Sequence, residues 1–213
     1  MRYKHVFAIC AYKDSPYLER CIRSLKAQTV PSHIIICTST PSSYIDRLAW
    51  KYGLQVYVRQ GESNIKDDWN FAYSMAEGGL VTIAHQDDMY HRDYSAGLLA
   101  AHKRYPDMTV FTTDYVIVKQ GKLITGDAML WIKRILRMPL RFPQMNDRAW
   151  LKKLAFVLGN PICCPATTYH KAALGEPLVR SEYSFALDWD NLVRLAEEPG
   201  RFICDERPLL PGP

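Results

Sequence analysis

The sequence predicts an α/β fold in which a mostly parallel central sheet is flanked by helices on both faces. Three observations predict it. Short strand-like runs alternate with amphipathic helical segments through the first 118 residues. Those runs are continuously apolar, the pattern of strands buried on both sides. With 213 residues and 48% hydrophobic content, the chain can also bury one full core. The expected organisation is a single domain over 1–213, with the strand–helix alternation in 1–118 and a basic helical segment (128–157) within 119–213.

Each element follows from local signals. HVFAICAY (5–12) is a buried-strand run, and Ser15 with Pro16 offers a cap and a first-turn proline for a helix carrying Leu18, Cys21, Ile22 and Leu25 on one face. HIIICT (33–38) is a second strand. Thr40 and Pro41 then read as a cap pair before Ile45, Leu48, Ala49 and Tyr52, with Gly53 as the stop. LQVYV (54–58) is a third strand. Ile65, Trp69, Ala72, Tyr73 and Ala76 mark a third helix ending at Gly78 and Gly79, and LVTIA (80–84) is the fourth strand. A helix over roughly 93–105, a strand over 108–118 and a turn through Gln120 and Gly121 into KLIT complete this part. A final helix falls within 183–200. There Phe185, Trp189, Leu192, Leu195 and Ala196 share an arc, with Asp188 inside it and Asp190 opposite, four residues before Arg194.

Charge and cysteine usage narrow the function. The net charge of +5 is concentrated between Ala128 and Val157, where seven basic residues face one acid; the remainder sums to −1. This argues for one basic region with a local task and against a general nucleic-acid binder. The region combines Trp131, Ile132, Ile135 and Leu136 with interleaved cations and breaks at Pro139 and Pro143. It reads either as an interfacial segment (129–158) in peripheral contact with anionic lipid or as an ordinary helix pair with a solvated basic face. The six cysteines lack zinc-ligand spacing, and no signal peptide or spanning segment is evident, so a reduced, cytoplasmic protein is expected. Cys163 and Cys164 read as buried small hydrophobes rather than reactive thiols. His85, His91 and His170 look isolated, and Trp69 and Trp189 look like core residues.

The fourth strand delivers His85, Gln86, Asp87 and Asp88 to the edge where parallel sheets bind ligands. Adjacent carboxylates repel, so Asp87 and Asp88 read either as a divalent-metal site or as a loop cap for the helix near residue 93. Asp188, at the core edge near a helix start, is either a satisfied structural acid or a general base.

Three stretches carry a family resemblance: VFAICAYKDSPYLERCIRSLKAQT, NIKDDWNFAYSMAEGGLVTIAHQDD and SFALDWDNLVRLAEEPGRFICDERPLL. In order and spacing they resemble the inverting family 2 glycosyltransferases of the Rossmann-like GT-A fold, well over 5–118 and moderately over 183–210. The resemblance implies transfer of a sugar from a UDP- or dTDP-activated donor to a saccharide or lipid-linked acceptor with inversion, in polysaccharide biosynthesis. It implies that Asp87 and Asp88 hold Mn²⁺ or Mg²⁺, that Asp87 also meets the donor ribose, and that Asp188 is the base. Ala11, Tyr12, Lys13 and Thr38, with Lys66, Asp68 and Asn70 from the third helix, would border the donor.

The chain departs from the family pattern at several points. Lys13 stands at an Asn position, Cys37 to Thr40 replace an Asp-Asp-Gly-Ser run, and His85 replaces the first acid of D-x-D-D. Two other functions share parts of this pattern. One is a sugar nucleotidyltransferase, although AYKDSPYLER lacks the glycines of its phosphate loop; the other is a binding or scaffold domain without turnover.

Overall fold

A computed structural model describes residues 2–119, 122–124 and 128–211. In chain order the elements are β1 (Tyr3–Ala11), α1 (Leu18–Lys26), β2 (His33–Thr38), α2 (Ser43–Tyr52), β3 (Gln55–Val58), α3 (Ile65–Met75), β4 (Gly78–His85) and α4 (Tyr94–Arg104). The second part contains β5 (Met108–Lys119), β6 (Lys122–Ile124), α5 (Ala128–Leu136), α6 (Ala149–Leu154), β7 (Thr167–His170), α7 (Lys171–Leu174), α8 (Leu187–Glu197) and β8 (Arg201–Pro211). Short 3-10 turns occupy Met138–Arg141 and Cys164–Ala166. The sheet runs β3-β2-β1-β4-β7-β5-β6, with β8 joined in parallel to β5. The ladders β1/β2, β1/β4 and β2/β3 are parallel, whereas β7 lies antiparallel between β4 and β5.

The apolar strands are buried as their pattern predicts. Phe7, Ile9, Ile34 and Ile36 face a core completed by α1, α2 and α4. Val6, Ala8, Val81, Ile83 and Val110 face the other core, with Ala72 and Tyr73 of α3 and Leu192 and Leu195 of α8. Leu18, Cys21, Ile22 and Leu25 are the buried face of α1, as their spacing predicts. Gly53 closes α2 in the left-handed conformation (φ 61°).

The structure corrects several local expectations. Helix α1 begins at Leu18, and the Ser15 hydroxyl instead accepts from the Tyr17 amide. Helix α2 is capped by Ser42, whose hydroxyl accepts from Ile45 N, not by Thr40, which turns toward Lys13. Gly78 and Gly79 do not stop α3 but open β4. A Cβ on Gly78 would lie 2.7 Å from Val6 and 2.9 Å from the Leu80 carbonyl, so β1 and β4 approach closely only because the residue is glycine. Phe185 precedes α8 and is 91% exposed rather than part of its apolar arc. Arg194 pairs with Glu198 (3.8 Å), not Asp190. Strands β7 and β8 were not expected, and the turn at Gln120 and Gly121 lies outside the described residues.

The basic region proves to be less open to solvent than its sequence suggests. Arg134 and Arg137 both bond Asp114, Arg141 pairs with Glu206, and Lys153 with Glu197. Lys152 is fully buried and donates to the carbonyls of Glu198 and Gly200. The apolar side chains Trp131, Ile135, Trp150 and Leu154 point outward instead. Among the described residues no helix is long and apolar enough to cross a membrane.

Candidate active site

Parallel strands β2, β1 and β4 end together and leave a cleft of about 450 Å³ beyond their carboxyl ends. The backbone here is set by side chains that imitate a ladder. The Gln86 amide accepts from Tyr12 N (3.0 Å) and donates to Tyr12 O (2.9 Å), tying the loop after β4 to the end of β1. Lys13 then adopts φ 53°, with its amide donating to the Thr40 hydroxyl at 2.7 Å. Such a left-handed turn is uncommon outside glycine and reverses the chain at the rim.

Of the residues expected to meet the donor, Ala11, Tyr12, Thr38, Asp68 and Asp87 line this cleft. The Asp68 carboxylate accepts from Arg59 Nε (2.8 Å) and from the hydroxyls of Ser39 and Ser63, which fixes its orientation. Lys13 sits at the rim with its ammonium 4.9 Å from the Tyr12 ring. Lys66 reaches Glu182 at 3.2 Å. Asn70 turns away from the cleft and exchanges two hydrogen bonds with the Val179 backbone.

The two neighbouring carboxylates are not equivalent. Asp87 is exposed at the cleft wall, whereas Asp88 is buried, with its amide bonded to the His85 carbonyl. They do not cap α4, which starts at Tyr94 after Asp93. Burial, reinforced by the charge of Asp87, raises the Asp88 carboxyl to about 7. His85 is not isolated: its ring and both carboxylates present ligand atoms within 4.8 Å of one another. Burial lowers the His85 pKa, against the opposing pull of Asp87 and Asp188, so the imidazole is neutral near pH 7 and offers a lone pair. Its buried Nε2 has no hydrogen-bond partner among the described residues. Two repelling carboxylates, a neutral imidazole with an orphaned nitrogen, and a spread about twice a metal–ligand bond all fit a divalent cation.

Asp188 stands at the start of α8. Ala186, in the left-handed region (φ 61°), turns the chain into the helix. One Asp188 oxygen accepts from Trp189 N and the other from Asn160 Nδ2, both at 2.8 Å, so the carboxylate is oriented and half-buried. Its charge reaches His85 and Cys164. Cys163 and Cys164 are free, and burial raises both thiols, so neither is a thiolate near neutrality.

Sequence reasoning missed His85 and Trp69. The Trp69 ring lines the cleft and lies 5.3 Å from the His85 ring, nearly parallel to it. The signal was available in the spacing: Trp69 follows Asp68 on the helix whose N-terminal turn borders the strand ends.

An open α/β sheet with a cleft over its first strands and an acidic cluster at the end of β4 is the arrangement of the GT-A class. The chain belongs to glycosyl transferase family 2, whose model matches residues 6–161. Solved structures agree in fold. Staphylococcus aureus TarS 1–349 superposes with a TM-score of 0.70 at 16% identity, covering 98% of this chain and 60% of that one. Its complex with UDP gives 0.69 at 17%, with the same coverage. Glucosyl-3-phosphoglycerate synthase from Mycobacterium tuberculosis, in complex with phosphoglyceric acid, gives 0.64 at 12%, covering 100% of this chain and 72% of that one. The chain thus spans about 60% of the TarS fragment it resembles. No curated protein matches the chain in sequence.

Proposed function

We propose that the protein transfers a sugar from a UDP- or dTDP-sugar to an acceptor hydroxyl with inversion. The observation that carries this reading is the cleft with Asp87 in its wall, joined through His85 to the field of an oriented Asp188. In this reading the nucleotide lies over β1 and β2, bordered by Ala11, Tyr12, Thr38 and Asp68, with its base against Trp69 or Tyr12. Lys13 and Lys66 flank the diphosphate, and Asn70 holds the cleft wall to residue 179.

Asp87 and Asp88, assisted by His85, would hold Mn²⁺ or Mg²⁺. When bound, such an ion neutralises charge on the leaving diphosphate. Asp188 removes the acceptor proton as its oxygen attacks the anomeric carbon from the face opposite the nucleotide. The bonds from Asn160 and the Trp189 amide keep one carboxylate geometry through that step. Complexes of the mycobacterial synthase with Mn²⁺, UDP-glucose and phosphoglyceric acid, and of TarS with UDP-GlcNAc, support the donor class. The acceptor is a saccharide or a lipid-linked molecule, and the outward Trp131, Ile135, Trp150 and Leu154 support peripheral membrane contact through 129–158.

Asp188→Asn tests the reading. Transfer, or donor hydrolysis with Mn²⁺, is expected to fall about 10²- to 10⁴-fold while UDP affinity stays within about twofold. Full turnover by this variant would sink the assignment. Tight donor binding without turnover in the wild type would make the domain a binding module.

A further inference from the structure

A second cavity, of about 240 Å³, shares no lining residue with the donor cleft. It is lined by Arg134, Arg137 and Arg141, with Asp114, Glu206 and Cys204. Its position follows from the ladders. Val81 of β4 pairs with Tyr169 of β7, which pairs with Val110 of β5. Because β4 and β5 run in the same direction, His85 and Asp114, each four residues on, lie beyond the same end of β7. Two strand spacings separate them, about 10 Å. Cys163 lies on the segment that leads into β7, the strand between them. Burial chiefly raises its thiol pKa, and the thiol also feels the charges of Asp88, Lys133 and Arg137.

The cavity is built rather than incidental. Strand β8 carries extra residues opposite β5, because Thr113 pairs with Asp205 and Asp114 with Pro208. Such bulges re-aim side chains near functional sites, and here the bulge presents Glu206 to Arg141. The buried Asp114 clamps Arg134 and the 4%-exposed Arg137, whose guanidinium also bonds Thr113 O. Three guanidiniums and two carboxylates line the cavity. The Arg141–Glu206 pair is the weak member, since both side chains are about half exposed and such pairs contribute little. A ligand with two negative charges and forked acceptor geometry displaces Glu206 more readily than Asp114.

We propose that this cavity is the acceptor's anion subsite and takes a phosphate monoester, which makes the acceptor a phosphorylated molecule. The inference rests on the glycosyl-transfer reading for its role in catalysis, but not for binding. Inorganic phosphate titrated in EDTA without nucleotide, at constant ionic strength, probes the subsite alone. Arg141→Gln is expected to weaken phosphate at least tenfold. Glu206→Gln is expected to tighten it several-fold, a gain that a purely structural role for the pair does not produce. UDP titrated with Mn²⁺ is expected to bind all three proteins equally. Absence of phosphate binding in the wild type, or equal affinity across the variants, overturns the subsite. Failure of UDP to bind overturns the donor reading and leaves the phosphate result standing.

Two further probes separate the sources of phosphate. Glycerol 3-phosphate competing in solution indicates a soluble acceptor. Sedimentation with phosphatidic acid vesicles, but not phosphatidylcholine vesicles, and its loss in Arg141→Gln, indicates a lipid headgroup. Binding of neither overturns the phosphomonoester assignment.

Discussion

The part of the chain up to β4 and the part after it are held together by different forces. In the first, parallel ladders satisfy the backbone and apolar strands press on amphipathic helices, so register and burial define the structure. In the second, short helices and 3-10 turns leave many carbonyls outside any ladder, and buried cationic or amide side chains reach them instead. Lys152 bonds Glu198 O and Gly200 O, and Asn146 bonds Leu140 O and Phe202 O. Buried backbone groups must be paired. Where the fold becomes irregular, polar side chains take over the task of the sheet.

Two substitutions of different character test that contrast. Phe7→Ala, in the centre of β1 against Tyr90 and Tyr94, empties the first core and is expected to lower unfolding free energy by about 3–5 kcal/mol. Lys152→Met keeps most of the apolar stem but leaves the two carbonyls unpaired. Its expected cost is about 1–3 kcal/mol, read by denaturant titration, with the loss local to α6 and the end of α8 in hydrogen exchange. A neutral Lys152→Met would show that the second part relies on apolar packing after all.

The same contrast explains what could be read in advance. The order of β1 to β4 and their helical partners were legible, because continuous apolar runs and 3.6-residue spacing report burial directly, and so was the delivery of Asp87 and Asp88 to the end of β4. Strand β7 was not, since TTYH is short and polar yet lies at the sheet centre, where Thr82, Thr168 and Tyr94 bond one another. Strand β8 was hidden by its charges and by Pro208 at a bulge. His85 was passed over because the ligand character of an imidazole depends on burial and on which carboxylates surround it, and both are tertiary facts. The basic segment misled for a related reason: composition counts charges, and only coordinates show that Lys152 and Arg137 are buried against carbonyls and Asp114.

The His85, Asp87 and Asp88 group follows β4, where the first part gives way to the second, and carries a pH signature. With its folded-state carboxyl raised to about 7, Asp88 favours folding below its ordinary value near 4, and this contribution is lost as pH rises through 7. A divalent cation needs the ionised form, so its affinity is expected to fall about tenfold per unit below pH 7. Melting curves with and without Mn²⁺ should therefore separate more at pH 8 than at pH 6. In Asp88→Asn the Mn²⁺ effect should be small at both. A separation independent of pH would mean that Asp88 is not the titrating ligand.

The smallest expected effect tests the join itself. Asn70 lies on α3, whose other face borders the donor cleft, but its amide accepts from Val179 N at 2.8 Å and donates to Val179 O at 2.9 Å. This two-bond exchange imitates a strand pair and anchors the segment leading to α8, and hence Asp188, against the donor side. Asn70→Ala removes both bonds where water can partly replace them, so a stability loss of about 1 kcal/mol is expected. UDP affinity should be unchanged, because the side chain does not line the cleft. Turnover should fall more than binding, since a small displacement of the Asp188 carboxylate misaligns proton removal. A variant that loses UDP affinity while keeping its stability would instead place Asn70 on the donor, and the two parts would then share a ligand rather than a tether.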